Sequence, residues 1–340
     1  MIKDAWMSKK LTDDTVECLA CSHHCKIQPG KTGICGIRKN LDGKLKLLVY
    51  GKAAALNVDP IEKKPLFHFH PGTPILSFGT VGCNFHCEFC QNWDLSQFHK
   101  TNDTTAIENA GRDLMPQDAI DYCLEHEIPS IAFTYNEPAI FFEYAYDTAK
   151  LAKEHGINIV YVSNGFENRK ALEKIKPYLD AINTDLKAFN PEFYLKICGG
   201  RIEPVRENIK WIWENGIWQE ITTLVVTNKN DSTEELKQIA DFLVNISPDM
   251  PWHISRYHPA YLMSEPPTSE EKLLEAYEIG KKAGLKYVYV GNIPIEGKED
   301  TYCPKCDAVL IKRSGFDAKN HLKGDTCPQC NTVICGKFKK

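Results

Sequence analysis

Cys83, Cys87 and Cys90 stand at a CxxxCxxC spacing within Gly82–Gln91, directly after the apolar run Ile75-Leu76-Ser77-Phe78. Three thiolates can hold three irons of a cubic 4Fe–4S cluster, whereas a purely structural cluster normally has four. No fourth cysteine follows nearby, so the fourth iron would keep an open position for a ligand, as catalytic metal sites do. A zinc knuckle or a redox thiol pair is the plainer alternative for the same spacing.

Two further cysteine groups flank this one. Cys18, Cys21, Cys25 and Cys35 sit among Pro29-Gly30 and Gly33, on turns that can close around one tetrahedral zinc or one auxiliary iron–sulfur cluster; unliganded thiols are the third possibility. His23 and His24 are spare candidate ligands. Near the C-terminus, Cys303-x2-Cys306 and Cys327-x2-Cys330 form two knuckles twenty residues apart. That pattern predicts a zinc ribbon, with rubredoxin-type iron as the alternative occupant, and metal binding would supply much of so small a module's folding free energy. Eleven of the fourteen cysteines fall in these groups, which reads as metal ligands kept reduced rather than a disulfide framework. Cys123, Cys198 and Cys335 are left over; Cys123 reads as a small buried apolar residue and Cys335 as a bystander.

The central cysteines need a scaffold. From residue 74 to about 295, strand-like runs rich in Ile, Val, Tyr and Phe occur at 75–79, 130–134, 157–162, 180–186, 219–226, 252–257 and 286–290, as expected for strands buried on both faces. Helical stretches lie between them. Pro138–His155 is one, and Asp231-Ser232-Thr233-Glu234-Glu235 opens another with a cap and an acidic first turn. His155-Gly156-Ile157, Asn215-Gly216-Ile217 and Ala283-Gly284-Leu285 repeat one joint, glycine after a helix and an aliphatic residue opening a strand. The pattern predicts parallel βα units and an α/β fold: a partial (β/α)6-type barrel over 74–298, preceded by a Cys-rich segment (1–73) and followed by the ribbon module (299–340). Within 1–73, Asp42-Gly43 predicts a hairpin turn. Asp59-Pro60-Ile61-Glu62-Lys63-Lys64-Pro65 reads as a connector, and Phe67-His68-Phe69-His70 as packing over the mouth of the barrel.

In such folds chemistry gathers where strands end. The strands here end in Thr134-Tyr135-Asn136-Glu137-Pro138, Ser163-Asn164-Gly165, Asp185-Leu186-Lys187, Thr227-Asn228, Ser255-Arg256-Tyr257-His258 and Gly291-Asn292.

The cysteine spacing, with Phe89 before the third cysteine, resembles the signature of the radical S-adenosylmethionine (SAM) superfamily. That resemblance implies that SAM chelates the open iron through its amino and carboxylate groups. Reduction of the cluster then cleaves SAM to methionine and a 5′-deoxyadenosyl radical, which abstracts hydrogen from a substrate. It also implies site roles. Phe89 would pack on the adenine. Glu137, with the backbone near Asn136, would accept from the SAM amino group. Ser163 and Asn164 would meet the ribose. Lys187 would pair with the SAM carboxylate or a substrate anion, and Asp185 would hold Lys187 or the ribose. Arg256 or His258 would lie across the mouth. The order CxxxCxxC, Glu137-Pro138, Ser163-Asn164-Gly165, Asp185-Leu186-Lys187 and Tyr257-His258 resembles pyruvate formate-lyase activating enzymes. Their Gly-Gly-Glu segment is Tyr135-Asn136-Glu137 here, so the two glycines are absent. Over nearly the whole length, with Asp59–Pro65, Phe133–Pro138, His253–Pro259 and Tyr289–Asn292, the chain resembles the radical SAM enzymes of the AmmeMemoRadiSam system. Memo-like or AMMECR-like partner proteins and an electron donor such as a flavodoxin or ferredoxin are thereby implied.

The bulk numbers narrow the alternatives. In 340 residues, 41 Lys+Arg against 45 Asp+Glu give a net charge of −4, with no like-charge block suited to nucleic acid. No apolar run is long enough to cross a bilayer and the first ten residues lack a signal core, so a cytoplasmic protein is expected. The expected function is hydrogen abstraction from a protein glycine or from a small molecule. The competing expectation is a non-catalytic adaptor with three zinc sites, for which Glu137, Lys187 and His258 would be dispensable.

Overall fold

The computed structural model describes residues 1–338. In the N-terminal segment, strands β1 (Val16–Cys18) and β2 (Lys26–Ile27) pair antiparallel and carry the first cysteine group between and after them. The hairpin β3 (Arg38–Leu41) and β4 (Lys44–Leu47) follows, turning at Asp42 and Gly43 with φ of 50° and 77°. Both residues lie in the left-handed region that two-residue hairpin turns of this twist require.

The dominant element is one eight-stranded sheet. Its strands in chain order are β5 (Ala55–Pro60), β6 (Pro74–Gly79), β7 (Ser130–Phe133), β8 (Asn158–Ser163), β9 (Ala181–Asp185), β10 (Trp218–Val225), β11 (Trp252–Arg256) and β12 (Val288–Gly291). They neighbour one another in that same order. β6 to β12 are all parallel, and β5 closes the β6 edge antiparallel. Helices α1 (Pro116–Glu125), α2 (Phe142–Glu154), α3 (Arg169–Ile175), α4 (Ile202–Glu214), α5 (Thr233–Ile246) and α6 (Glu270–Ala283) lie between strands. Pro138–Phe141, expected as the first turn of α2, is a tighter 3-10 turn. Gly156, Gly216 and Gly284 have φ of 69°, 75° and 107°, so each helix-to-strand joint uses the left-handed conformation that glycine takes without strain.

Alternate strand residues divide two cores. Ile131, Phe133, Ile159 and Tyr161 pack outward with Ala119, Ile120, Ala145 and Ala149 of the helices. Ala132, Val160 and Ala181 point the other way, onto Ile61, Leu66 and Phe69. With both faces covered, the strands become near-continuous apolar runs, which is why they were readable. The sheet is curled: Thr134 after β7 and Asn292 after β12 line one cavity, although five strand spacings would separate them by about 24 Å in a flat sheet.

Two expectations need correction. Ala55–Pro60, inside the segment expected to precede the barrel, is the barrel sheet's edge strand. The run Phe67–His70 does not cover the mouth. The backbone N–H groups of Phe67 and His68 donate to Glu220 near the start of β10 (2.9 and 2.8 Å), and Nε2 of His68 lies 2.6 Å from the Tyr289 hydroxyl. The segment therefore closes the end opposite the strands' C-termini.

The C-terminal module, with strands β13 (Thr301–Tyr302), β14 (Val309–Ser314) and β15 (Asp317–Asn320), docks on that same end. Leu310, Ile311 and Ile334 pack with Phe67, Tyr287 and Tyr289. Arg313 spans the joint, with its guanidinium 4.0 Å from the Phe67 ring centroid and a hydrogen bond to the Phe67 carbonyl (2.8 Å).

Candidate active site

The sulfurs of Cys303, Cys306, Cys327 and Cys330 lie within 4.8 Å of one another, with 3.5 Å between Cys303 and Cys330 and 3.7 Å between Cys306 and Cys327. Four thiolates at 2.3 Å from one tetrahedral ion would stand about 3.8 Å apart, so this set fits a single ion. It sits at the closed end, away from the cavity. Cys335 stays outside this set; its backbone carbonyl lies 2.8 Å from Nδ1 of His68. Replacing Cys306 with alanine should release the ion and lower the melting temperature, while leaving chemistry at the other end largely intact. Comparing the metal content, melting curve and turnover of Cys306→Ala with wild type checks this, and lost turnover in a folded variant would contradict it.

The open end holds the central cysteines. Cys83, Cys87 and Cys90 line one cavity with Phe89, Asn136, Glu137, Ser163, Asn164, Asp185 and Lys187. The loop is shaped by close backbone approach: at Gly82 (φ 87°) a Cβ would stand 2.4 Å from the Cys35 carbonyl oxygen, so only glycine fits. The thiols already face donors. The backbone N–H of Phe85 donates to Cys83 (3.5 Å), and Ser96 lies 3.3 Å from Cys90. Burial pushes the Cys83 and Cys90 thiols up. Cys87 goes the other way, because a hydrogen bond from Cys198 and the charge of Lys187 outweigh its burial. Cys198, 108 positions further on than Cys90 in the chain, gave no signal in the sequence.

Asp185 and Lys187 form an ion pair (2.8 Å) on the wall facing these thiols, and the ammonium lies 5.8 Å from the Phe89 ring centroid. Burial alone would lower the lysine's pKa, but Asp185 and Cys87 outweigh it and keep Lys187 protonated.

Glu137 departs from its expected role as a free acceptor. Its oxygens accept from the backbone N–H of Ala139 (3.0 Å) and Asn164 (2.8 Å), and both lie 3.1 Å from the Ser163 hydroxyl. Ser163 is also 2.7 Å from Glu167. One hydroxyl hydrogen thus faces two buried carboxylates. Burial first, and the Glu167 charge second, push Glu137 up to about 8. A buried acid whose pKa is raised destabilises the fold as pH rises between its unfolded and folded values. The free protein should therefore lose stability from about pH 4.5 to about 8. Glu167→Gln removes the second charge and should flatten that loss; melting curves across the range that overlay wild type would refute the coupling.

Ser163 and Asn164 line the cavity, yet their hydrogen bonds are largely spent within the protein, Asn164 donating to the Asn84 side chain at 2.8 Å. The acceptor left over is on Asn136. Its amide nitrogen donates to Thr80 and to the Gly82 carbonyl (3.0 Å each), and its buried Oδ1 has no partner. Tyr135 takes the left-handed φ of 71° although it is not glycine, and its hydroxyl donates to Asp59 (2.8 Å), which Lys64 also holds (2.6 Å). The backbone thus follows a glycine-like path where the expected glycines are absent.

Arg256 and His258 do not join the cavity. Arg256 donates from Nε to the Thr268 carbonyl (2.9 Å), and His258 lies exposed beyond the strand. Ser255 faces the cavity instead, hydrogen-bonded by Asn292 (2.7 Å). Successive strand residues point to opposite faces, so Ser255 inward puts Arg256 outward.

A three-iron ligand set with a buried ammonium on the facing wall suits a cluster with an open iron and a ligand that carries a carboxylate. Comparison with known proteins agrees. Residues 78–243 match the family model described as the Radical SAM superfamily. An uncharacterized protein of Methanocaldococcus jannaschii is 41% identical over 338 residues, covering 99% of this chain and 98% of that one. The pyruvate formate-lyase-activating enzyme of Clostridium pasteurianum is 24% identical over 165 residues, covering 48% of this chain and 67% of its own. The crystal structure of Streptococcus suis SuiB bound to S-adenosylmethionine shares the fold at a TM-score of 0.51 and 14% identity, covering 68% of this chain and 53% of SuiB. The match starts one strand-end before the cysteine loop and takes in the cavity's lining residues other than Ser255 and Asn292: the chain belongs to the radical SAM superfamily.

Proposed function

We propose that the protein is an activase-like radical SAM enzyme that takes hydrogen from a polypeptide. The observation that carries the enzymatic reading is the three-cysteine cavity beside the Asp185–Lys187 pair. When bound there, the reduced cluster and SAM supply a 5′-deoxyadenosyl radical. The chain's own residues do the positioning. Cys83, Cys87 and Cys90 hold three irons. Lys187, kept charged by Asp185, pairs with the carboxylate of SAM. Glu137 anchors the Ser163–Asn164 turn rather than reaching the ligand. Phe89 offers a flat apolar face for the adenine. The curled sheet walls the site against water.

The choice of a polypeptide rests on the rim. Trp93, three residues past Cys90, is 47% exposed and stacks on Tyr261 at 5.4 Å between ring centroids. Leu262 beside it is 66% exposed while its N–H donates to the Glu88 carbonyl (2.9 Å) of the cysteine loop. Exposed apolar groups clustered at a mouth mark a docking surface for a macromolecule. A small-molecule substrate would not need them. The activase names among its relatives point the same way, and a flavodoxin- or ferredoxin-like carrier would bring the electron. We assign zinc to the ribbon and, because eleven of the fourteen cysteines are grouped as ligands, a reducing compartment such as the cytoplasm.

The test is anaerobic. Protein reconstituted with iron and sulfide, then given dithionite and SAM, should release 5′-deoxyadenosine. Protein that carries only zinc and releases none would support the adaptor reading. A Trp93→Ala/Leu262→Ser variant should keep that uncoupled cleavage and lose radical transfer to a protein substrate.

A further inference from the structure

We propose that Cys18, Cys21, Cys25 and Cys35 hold a second iron–sulfur cluster, and that it relays electrons to the cluster on Cys83, Cys87 and Cys90. The relay, though not the second cluster, rests on the activity proposed above.

The four cysteines line a single cavity in the N-terminal segment, with Cys18, Cys21 and Cys35 buried. Their sulfurs are not drawn together like the ribbon's: among the described residues, the ribbon set is the group whose ligand atoms all fall within 4.8 Å. A lone tetrahedral ion needs its thiolates about 3.8 Å apart, whereas the corners of an iron–sulfur cube hold them further from one another. Two buried donors in the same wall lack acceptors. Arg38 is 1% exposed; its two terminal nitrogens are occupied by Glu143 (2.7 and 2.8 Å), but its Nε has no partner. Asn84 is also 1% exposed, and its Nδ2 has none. An unpaired buried N–H is costly, and cluster sulfurs are acceptors that hydrogen bonds of this kind serve and tune. Both residues line the cavity, and cluster sulfur there would supply the acceptors these donors lack.

The same residues join this cavity to the active site. Asn84 directly follows Cys83. Its carbonyl lies 2.9 Å from Nε2 of His23, and its Oδ1 accepts from Asn164. Gly82 packs on the Cys35 carbonyl, and Cys21 makes a backbone bridge with Glu167. The two cysteine loops therefore touch along their backbones. An electron taken from a one-electron carrier, a reduced flavin or iron–sulfur protein, reduces the N-terminal cluster by one unit of charge. The same electron then passes to the central cluster, with no bond made or broken and no proton moved.

The full chain, reconstituted anaerobically with iron and sulfide, should carry about eight irons, since each cube brings about four. Replacing Cys83, Cys87 and Cys90 together with alanine should leave about four irons with matching sulfide, and a paramagnetic signal on reduction. In wild type the reduced signals should be broadened by their nearness. Cys21→Ser/Cys25→Ser should release 5′-deoxyadenosine with dithionite, which reaches the central cluster directly, but fall to the no-carrier level when reduced flavodoxin is the donor. A second zinc beyond the ribbon's one ion, or iron without sulfide, in the triple variant would overturn the second cluster, whether or not the Cys21/Cys25 variant folds. Undiminished turnover of that variant with flavodoxin would overturn the relay. Two clusters without any 5′-deoxyadenosine would instead defeat the enzymatic reading and leave the N-terminal cluster standing.

Discussion

Cys87→Ala should abolish release of 5′-deoxyadenosine while the ribbon keeps its metal. Cys87 is the cysteine of the three whose thiolate is favoured before any metal arrives, because Cys198 hydrogen-bonds it and Lys187 lies near. Removing it takes away one of three protein ligands. It also leaves a buried S–H without its acceptor and a buried ammonium without one of its counter-charges. Cys198→Ala is the informative companion. It keeps all three ligands but deletes a donor to one of them, and loss of such a supporting bond costs about ten- to a hundredfold in activity or metal affinity. A thiolate with fewer donors makes the cluster harder to reduce, so the midpoint potential of Cys198→Ala should be more negative than wild type. Unchanged iron and cleavage in Cys87→Ala would remove that residue from the cluster. An unchanged potential in Cys198→Ala would reduce Cys198 to packing.

The contrast between these two cysteines marks what a sequence can reveal. Cys87 announces itself through spacing to Cys83 and Cys90, since ligands of one cluster on one loop must be close in the chain. Cys198 reaches the same spot from a π-helical turn, Tyr194–Cys198, and only the packing of Gly199 on His86 and Gly200 on Phe85 brings it there. The seven parallel strands were legible because burial on both faces leaves long apolar runs. The same property hid their phase: when neither face is polar, nothing in the order Ser255-Arg256 says which residue turns inward, and it is Ser255 rather than the charged Arg256 that lines the cavity. Strand β5 was missed for the opposite reason. Ala55-Leu56-Asn57-Val58-Asp59-Pro60 is an edge strand whose exposed middle breaks the apolar run, and it ends in a proline that edge strands tolerate. The role of Glu137 was legible in part. Its place at a strand end was clear, but satisfaction of its oxygens by Ala139, Ser163 and Asn164 depends on a turn whose shape the sequence does not state.

Glu220→Ala should destabilise the protein by about 3–5 kcal/mol, the range for removing one partner of a buried ionic group. Glu220 is fully buried at the closed end of the barrel and accepts from four donors: the backbone N–H groups of Phe67 and His68, Trp218 Nε1 (3.0 Å) and His253 Nε2 (2.7 Å). Alanine leaves all four without an acceptor in a space water does not reach. Burial would push this carboxyl up, but His253 and the other donors outweigh it and hold it below the usual range. A depressed acid contributes stability above its unfolded pKa and loses it as pH falls through the folded one. Wild type should therefore weaken on the acid side, and Glu220→Ala should show less of that acid-side loss from an already lower start. The substitution also tests how the ribbon is held. Phe67 is at once the anchor that Glu220 fixes and the ring on which Arg313 and Tyr289 pack, so freeing its backbone should loosen the docked module without touching its four cysteines. Limited proteolysis between the barrel and residue 301 should then accelerate in Glu220→Ala while the ribbon's metal stays bound. In Cys306→Ala the metal goes first. If Glu220→Ala instead melts with wild type, the four donors have found other acceptors and the closed end is not the clamp that this carboxylate makes it.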